Sequence, residues 1–144
     1  MKITRKGFTL IELSVVIGIF LVMIGILAPF VQMARARANR INCAINLRKI
    51  SLGLHAYAVD RDDVFPPNLT VLYPNYVDDE KVFDCPASKF AGTKEKAEYE
   101  YTTGLTEISG PKEIIAQDGQ GNHKKAGKNI LKVSGSVEWV SKRR

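Results

Sequence analysis

Residues 8–31 read FTLIELSVVIGIFLVMIGILAPFV, an apolar run with a single charged residue, Glu12. At about 1.5 Å per residue, a helix of this length crosses the roughly 30 Å hydrocarbon core of a bilayer. A cleaved secretory signal is the alternative, because a basic stretch precedes the run and ARA at residues 34–36 or at residues 36–38 would serve as a small-residue cleavage site. The apolar part of such signals is shorter, about 7–15 residues. The run therefore predicts a transmembrane helix.

Glu12 is the most informative residue of this run. A carboxylate inside an apolar helix costs several kcal/mol unless it meets a cation or a proton, and the run itself contains no cation. A cut between Gly7 and Phe8 would create an α-amino group that a neighbouring copy of the chain could present to Glu12. The alternative is a protonated Glu12, or one that reaches the membrane interface near a helix end. Glu12 is thus a candidate assembly residue.

The formal net charge of +6 is unevenly distributed. Basic residues lie on both sides of the apolar run and in the C-terminal tail, whereas the stretch from about residue 51 to residue 122 is acidic. Because both flanks of the run are positive, charge alone leaves the membrane topology open. The basic residues are not interleaved with aromatic residues or a recognition helix, so we expect no nucleic-acid partner.

The two cysteines, Cys43 and Cys85, lie far apart in the sequence. They are not in a Cys-x-x-Cys arrangement, so they indicate neither a zinc site nor a redox motif. If the domain lies outside the cytoplasm, a disulfide is their natural use. Such a bridge would close a loop of about forty residues and stabilise the fold by a few kcal/mol. Two separately buried thiols are the alternative.

The segment KGFTLIE at residues 6–12, followed by the apolar run, resembles the N-terminal signature of type IV prepilins and type II secretion pseudopilins. In that family a membrane peptidase cuts after the glycine, the new N-terminal phenylalanine is methylated, and the glutamate helps to register subunits in the filament. The resemblance implies peptidase cleavage between Gly7 and Phe8, N-methylation of Phe8 and an assembly role for Glu12. It also implies a leader in the cytoplasm.

Pro29 stands where many of these proteins carry a helix-bending or helix-melting proline. Proline removes one backbone donor and clashes with the preceding turn of a helix. We therefore expect a local kink or an unwound stretch at Pro29. The alternative is that Pro29 simply ends the membrane helix.

Beyond Pro29 the apolar residues recur at alternating steps of four and three, which places them on one face of a continuing helix over residues 32–59. These residues are Cys43, Leu47, Ile50, Leu54 and Tyr57. The stripe should pack against a globular domain. The helix should end at residues 60–68, where aspartates and prolines disfavour it. Asp60, Asp62 and Asp63 lack the glycine and closing glutamate of a calcium loop, so we expect a solvated turn and no metal there.

Four segments carry strand patterns, at residues 99–103, 113–117, 129–133 and 136–141, with a turn at Ser134-Gly135. Trp139 and Val137 share one face of the last strand and should pack on the helix stripe. The interrupted apolar pieces at residues 69–77 and 81–85 should wrap the helix as a loop layer. The predicted class is α+β and pilin-like: a long N-terminal helix, its first half transmembrane, packed on a small antiparallel sheet of three or four strands.

These segments divide the chain into four predicted parts. Residues 1–7 form the leader peptide, and residues 8–31 form the transmembrane and polymerisation helix. Residues 32–59 form the amphipathic continuation of that helix. Residues 60–144 form a small globular domain that contains the loop layer and the sheet.

His123 precedes Ser134-Gly135 by about ten residues. This spacing is similar to a tail pattern in a subset of bacterial prepilin-like proteins, in which a histidine precedes Asp-Gly. His123 has no adjacent nucleophile in the sequence and lies in a loop rich in glycine and lysine. We therefore expect a surface histidine that makes hydrogen bonds rather than one that acts in catalysis or metal binding.

The sequence, with its resemblance, predicts a structural, non-enzymatic subunit of a type IV pilus-like or type II secretion pseudopilus filament, with no cofactor. Its expected partners are its own copies and other pilin-like subunits, a prepilin peptidase and an inner-membrane assembly platform. The expected location is the inner membrane, crossed once, with the C-terminal domain outside the cytoplasm, and then a periplasmic or extracellular filament. A monomeric membrane-anchored binding or sensor domain is the main alternative. An anchored enzyme is disfavoured, because no nucleophile lies beside a base and no phosphate loop is present.

Overall fold

The computed structural model describes residues 9–88, 97–119, 121–123 and 126–142. The chain divides into two compact units, Met1–Arg35 and Ala36–Arg144. Helix α1, Leu10–Val59, contributes residues to both units.

In the first unit, helix α1 begins with a reciprocal pair of polar side chains. The Thr9 N–H and Oγ1 donate to Glu12 Oε2 at 2.8 and 2.7 Å, and the Glu12 N–H lies 3.3 Å from Thr9 Oγ1. This is a capping box, in which threonine and a glutamate three residues later satisfy donors at the start of the helix. The helix continues unbroken through Pro29. Pro29 therefore neither ends nor unwinds it, and the expected bend stays a prediction.

The surface of this part of α1 is apolar and exposed. Large apolar side chains from Leu10 to Met33 expose between 41% and 86% of their surface. Among the described residues, α1 is the one helix that is long and apolar enough to cross a membrane, judged by length and composition. The predicted membrane-spanning capacity of the N-terminal segment is thus confirmed.

In the second unit, the predicted stripe of α1 is the centre of the core. Cys43, Leu47 and Ile50 are fully buried and Leu54 is 1% exposed, whereas Tyr57 is only partly buried. The spacing of four and three brings these side chains onto one helical face, and burial of that face holds the helix against the rest of the domain.

Helix α1 ends at Val59, as the aspartate-rich segment predicts. Asp62 and Asp63 adopt left-handed backbone conformations with φ of 53° and 63°. Aspartate tolerates this region better than most residues because its short side chain bonds locally. The Asp63 N–H donates to the Ala58 carbonyl at 3.0 Å, which satisfies one of the free carbonyls at the helix end.

A loop layer lies on the second part of α1, as predicted. It contains two short 3₁₀ helices, Leu69–Leu72 and Glu80–Phe83. Two asparagines of α1 fix the layer to the helix: Asn46 Nδ2 donates to the Asp84 carbonyl at 2.9 Å, and Asn39 Nδ2 donates to the Pro86 carbonyl at 3.0 Å.

The sheet has four antiparallel strands in the order β1-β2-β3-β4: Tyr99–Tyr101, Ile114–Asp118, Gly127–Lys132 and Val137–Ser141. All four predicted strands are confirmed. Most of the strand ends differ from the predicted ends by one or two residues. The predicted turn between β3 and β4 is closed by Gly135 at φ +77°, a conformation that glycine adopts without strain. The fold is therefore α+β, with a long N-terminal helix packed on a four-stranded antiparallel sheet.

The expected packing of Trp139 on the helix stripe is wrong, whereas Val137 does pack against the core. The indole ring lies under the guanidinium of Arg40, with 4.2 Å between the guanidinium carbon and the ring centroid. A cation above an aromatic face is a favourable contact. Arg40 lies three residues before Cys43, so this contact places Trp139 at the N-terminal end of the stripe, outside the residues that pack on the core.

Candidate functional site

The residues predicted for processing and assembly lie at the N-terminus. Gly7 and Phe8, the predicted cleavage and methylation residues, lie outside the described residues. Glu12 is exposed on the first turn of α1, and its carboxylate accepts hydrogen bonds from Thr9. The structure therefore shows a local capping role for Glu12 within one chain. Its predicted assembly role requires a second copy.

A second candidate site lies inside the domain, around Asp118 at the end of β2. Asp118 is 1% exposed. Its Oδ2 accepts hydrogen bonds from the Asn129 N–H at 2.7 Å and from Asn129 Nδ2 at 2.8 Å. Asn129 Nδ2 also donates to the Arg40 carbonyl at 3.1 Å. These bonds connect β2, β3 and α1 through a single buried asparagine.

The expected position of His123 on the surface is wrong. Its side chain is 5% exposed, and Nε2 lies 2.9 Å from Asp118 Oδ2. The His123 and Trp139 rings meet edge to face, with centroids 5.4 Å apart. The buried carboxylate and the aromatic ring together draw the histidine inward, although its sequence neighbours are glycine and lysine.

Asp118 retains unused hydrogen-bonding capacity. Within the described part of the chain, Oδ1 of Asp118 and Nδ2 of Asn122 are buried without a hydrogen-bond partner. Burial raises the pKa of the Asp118 carboxyl, whereas hydrogen bonds from Asn129 and the nearby His123 act in the opposite direction. A buried carboxylate with one free oxygen is costly unless a further donor or cation meets it.

Cys43 of α1 and Cys85 of the loop layer form a disulfide, with their Cα atoms 5.5 Å apart. Both residues are at most 1% exposed. The bridge joins the helix to the loop that follows the second 3₁₀ helix. The sequence left open a disulfide or two separately buried thiols, and the structure shows the disulfide.

We expect both cysteines to resist a thiol reagent in protein that is denatured without a reductant, because a disulfide offers no thiol. The measurement is the mass of the chain after alkylation in denaturant. The control is the same sample reduced first, which should gain two labels. Labelling of both Cys43 and Cys85 without reduction would exclude the bridge.

The disulfide and the buried acid–base pair are neighbours. Cys85 Sγ lies 4.0 Å from His123 Nε2. Four residues meet here: Cys43, Cys85, Asp118 and His123. Each offers one atom that could bind a metal, and any two of these four atoms are no more than 4.8 Å apart. We refer to these four residues as the buried cluster. Within the part of the chain that the structure describes, these four residues form a group that could hold a metal ion, since sulfur, imidazole nitrogen and carboxylate oxygen are all metal ligands.

Sequence reasoning missed the buried cluster. The sequence predicts a bridge between the two cysteines and a surface position for His123, and it predicts no role for Asp118. The sequence offered no clear signal for Asp118, because it directly follows the predicted strand of residues 113–117, a position where aspartate is common. Nothing in the spacing of residues 43, 85, 118 and 123 predicts that they meet.

Comparison with known proteins bears on the N-terminus alone. A family model described as the prokaryotic N-terminal methylation motif matches residues 3–28. This motif is the prepilin-type cleavage and methylation signature, so the predicted resemblance is confirmed for that segment. Neither the curated proteins nor the solved structures gave a significant match.

Proposed function

We propose that this chain is the precursor of a filament subunit of the type IV pilin or pseudopilin type. The observation that carries the proposal is the methylation motif at residues 3–28, which overlaps a helix whose apolar side chains are exposed. An apolar helical surface of this length is stable in a bilayer or against other apolar helices, and is unfavourable in water. The helix thus serves first as an anchor and then as a polymerisation surface.

Processing supplies the cation that Glu12 lacks. Cleavage after Gly7 creates an α-amino group at Phe8, and a neighbouring subunit presents this group to Glu12. The match of the motif through residue 28 supports this sequence of events. Gly18 and Gly25 also support lateral packing, because at either residue the position that a Cβ would take has no atom within 4 Å apart from the adjoining backbone of the helix, which leaves the space open to another helix. Small residues of this kind allow helices in lipid to approach closely.

The role proposed for the domain is structural rather than enzymatic. Its partners are further copies of the chain, other pilin-like subunits, a prepilin peptidase and an inner-membrane assembly platform. The precursor crosses the inner membrane once, with residues 36–144 outside the cytoplasm, where a disulfide between Cys43 and Cys85 is chemically favoured. The filament is a type IV pilus-like fibre or a type II secretion pseudopilus.

We expect the mature chain to begin at a methylated Phe8 in cells that contain a prepilin peptidase. The measurement is the intact mass and N-terminal sequence of protein purified from membranes. Cells that lack the peptidase are the control, and there the chain should begin at Met1. A chain that begins at Met1 in both cells would contradict the proposal and would favour a monomeric tethered domain.

A further inference from the structure

The buried cluster has the composition of a zinc site. Two sulfurs, one imidazole nitrogen and one carboxylate oxygen are a ligand set that Zn²⁺ accepts in four-coordinate sites. From Zn–ligand bonds of about 2.0–2.3 Å, neighbouring ligand atoms of a tetrahedral site lie about 3.3–3.8 Å apart. In the structure, the cluster atoms lie within 4.8 Å of one another, and His123 Nε2 lies 2.9 Å from Asp118 Oδ2 and 4.0 Å from Cys85 Sγ. In the structure the two sulfurs are bonded to each other. Once that bond is reduced, side-chain movements that separate the sulfurs to about 3.8 Å would allow a tetrahedron to form.

We propose that the dithiol form of this chain binds one Zn²⁺ ion through the buried cluster. The proposal goes beyond the filament function and does not depend on it. In the described part of the chain, the free Oδ1 of the buried Asp118 is an independent indication, because an ion would provide the partner that this oxygen lacks.

The surroundings of Asp118 already have the form of a support for a metal ligand. The Asn129 N–H and Nδ2 both donate to Oδ2, which fixes the orientation of the carboxylate. Such hydrogen bonds to a ligand are typical of metal sites and contribute to their affinity. A cavity of about 340 Å³ lies against Asn122, His123 and Trp139, so His123 borders both this cavity and the buried cluster.

The disulfide and the metal use the same two sulfurs, so they exclude one another. Zn²⁺ binding replaces two S–H bonds with two Zn–S bonds and releases two protons. Nε2 of His123 must be unprotonated to bind the metal, and it exchanges its contact with Asp118 Oδ2 for a bond to the ion. Cross-linking instead removes two electrons and two protons from the two thiols. When a disulfide of another protein is the oxidant, it accepts the two electrons and the two protons and becomes a dithiol. The dithiol that precedes cross-linking is therefore the form that binds zinc, and the metal protects it from oxidation.

The test uses the full chain in detergent, reduced with a phosphine under anaerobic conditions and titrated with Co²⁺ and then with Zn²⁺. We expect a thiolate-to-cobalt charge-transfer band and the visible bands of tetrahedral Co²⁺, both removed by one equivalent of Zn²⁺. His123→Gln removes a direct ligand, so it should weaken Zn²⁺ binding by at least the roughly 10–100-fold that loss of an outer-shell partner costs. The matched control is His55→Gln, which changes the other histidine of the chain and should leave binding unchanged. The cross-linked protein should not bind Zn²⁺ at this site.

Several outcomes would overturn the proposal. These are a reduced chain that binds no Zn²⁺, a cobalt complex without the thiolate band, or His123→Gln protein with unchanged affinity. The cobalt spectrum is measured on the unmodified chain, so it decides the question even if the His123→Gln variant does not fold.

Discussion

Replacement of Glu12 by alanine is expected to reduce filament yield to background, while membrane insertion and cleavage after Gly7 continue. The substitution removes the carboxylate that would pair with the α-amino group of a neighbouring subunit. Breaking a buried ion pair by removing one partner costs about 3–5 kcal/mol, which is about 100-fold or more in each association constant. The loss recurs at every subunit contact. The measurement is the amount of sheared filament relative to processed protein in the membrane.

The capping box in the structure makes a sharper version of this experiment necessary. Because Glu12 accepts hydrogen bonds from Thr9, alanine would also remove a helix cap, worth about 0.5–2 kcal/mol. Glu12→Gln separates the two effects, since glutamine also serves in capping boxes but carries no charge. Thr9→Ala is the matched variant that weakens the cap and keeps the charge.

If charge pairing drives assembly, Glu12→Gln should fail like Glu12→Ala, and Thr9→Ala should assemble. Assembly of Glu12→Gln together with failure of Thr9→Ala would assign the residue to capping alone. Normal filament yield in Glu12→Ala would exclude any role in assembly.

Replacement of Asp118 by alanine is expected to destabilise the domain by about 3–5 kcal/mol, because it removes the buried acceptor of Asn129 and His123. Asn129 also bonds to the Arg40 carbonyl, so the loss should extend to the packing of β3 on α1. The measurement is urea unfolding of the cross-linked chain in detergent with a chelator present. The fluorescence of Trp139, the single tryptophan, reports the transition.

The control is Asp78→Ala, which removes an exposed aspartate of the same domain. Surface substitutions of this kind usually change stability by no more than about 0.5 kcal/mol. An Asp118→Ala midpoint equal to that of the control, with an unchanged denaturant dependence, would show that the buried hydrogen bonds contribute nothing net.

Much of the fold can be predicted from local patterns in the sequence. The apolar run of residues 8–31 specifies its helix by length and composition, and the stripe from Cys43 to Leu54 specifies the buried face by its spacing alone. Alternating apolar residues located the strands, and Ser134-Gly135 located the hairpin turn. The signature at residues 6–12 is equally local, because a peptidase reads a short contiguous segment.

Only the tertiary structure determined the positions of side chains that depend on contacts between residues far apart in the sequence. Trp139 packs against Arg40 and not on the predicted stripe, because the guanidinium is a favourable partner for the face of the indole ring. His123 turned inward because Asp118 and Trp139 surround it. The buried cluster forms because α1, the loop layer, the end of β2 and the turn after it meet at one point of the core. The spacing of its four residues in the sequence does not predict this meeting. The sequence by itself determined the anchor, the processing signal and the order of elements, since these depend on neighbouring residues. Only the packed domain determined which polar side chains share an interior, because burial there depends on residues tens of positions apart.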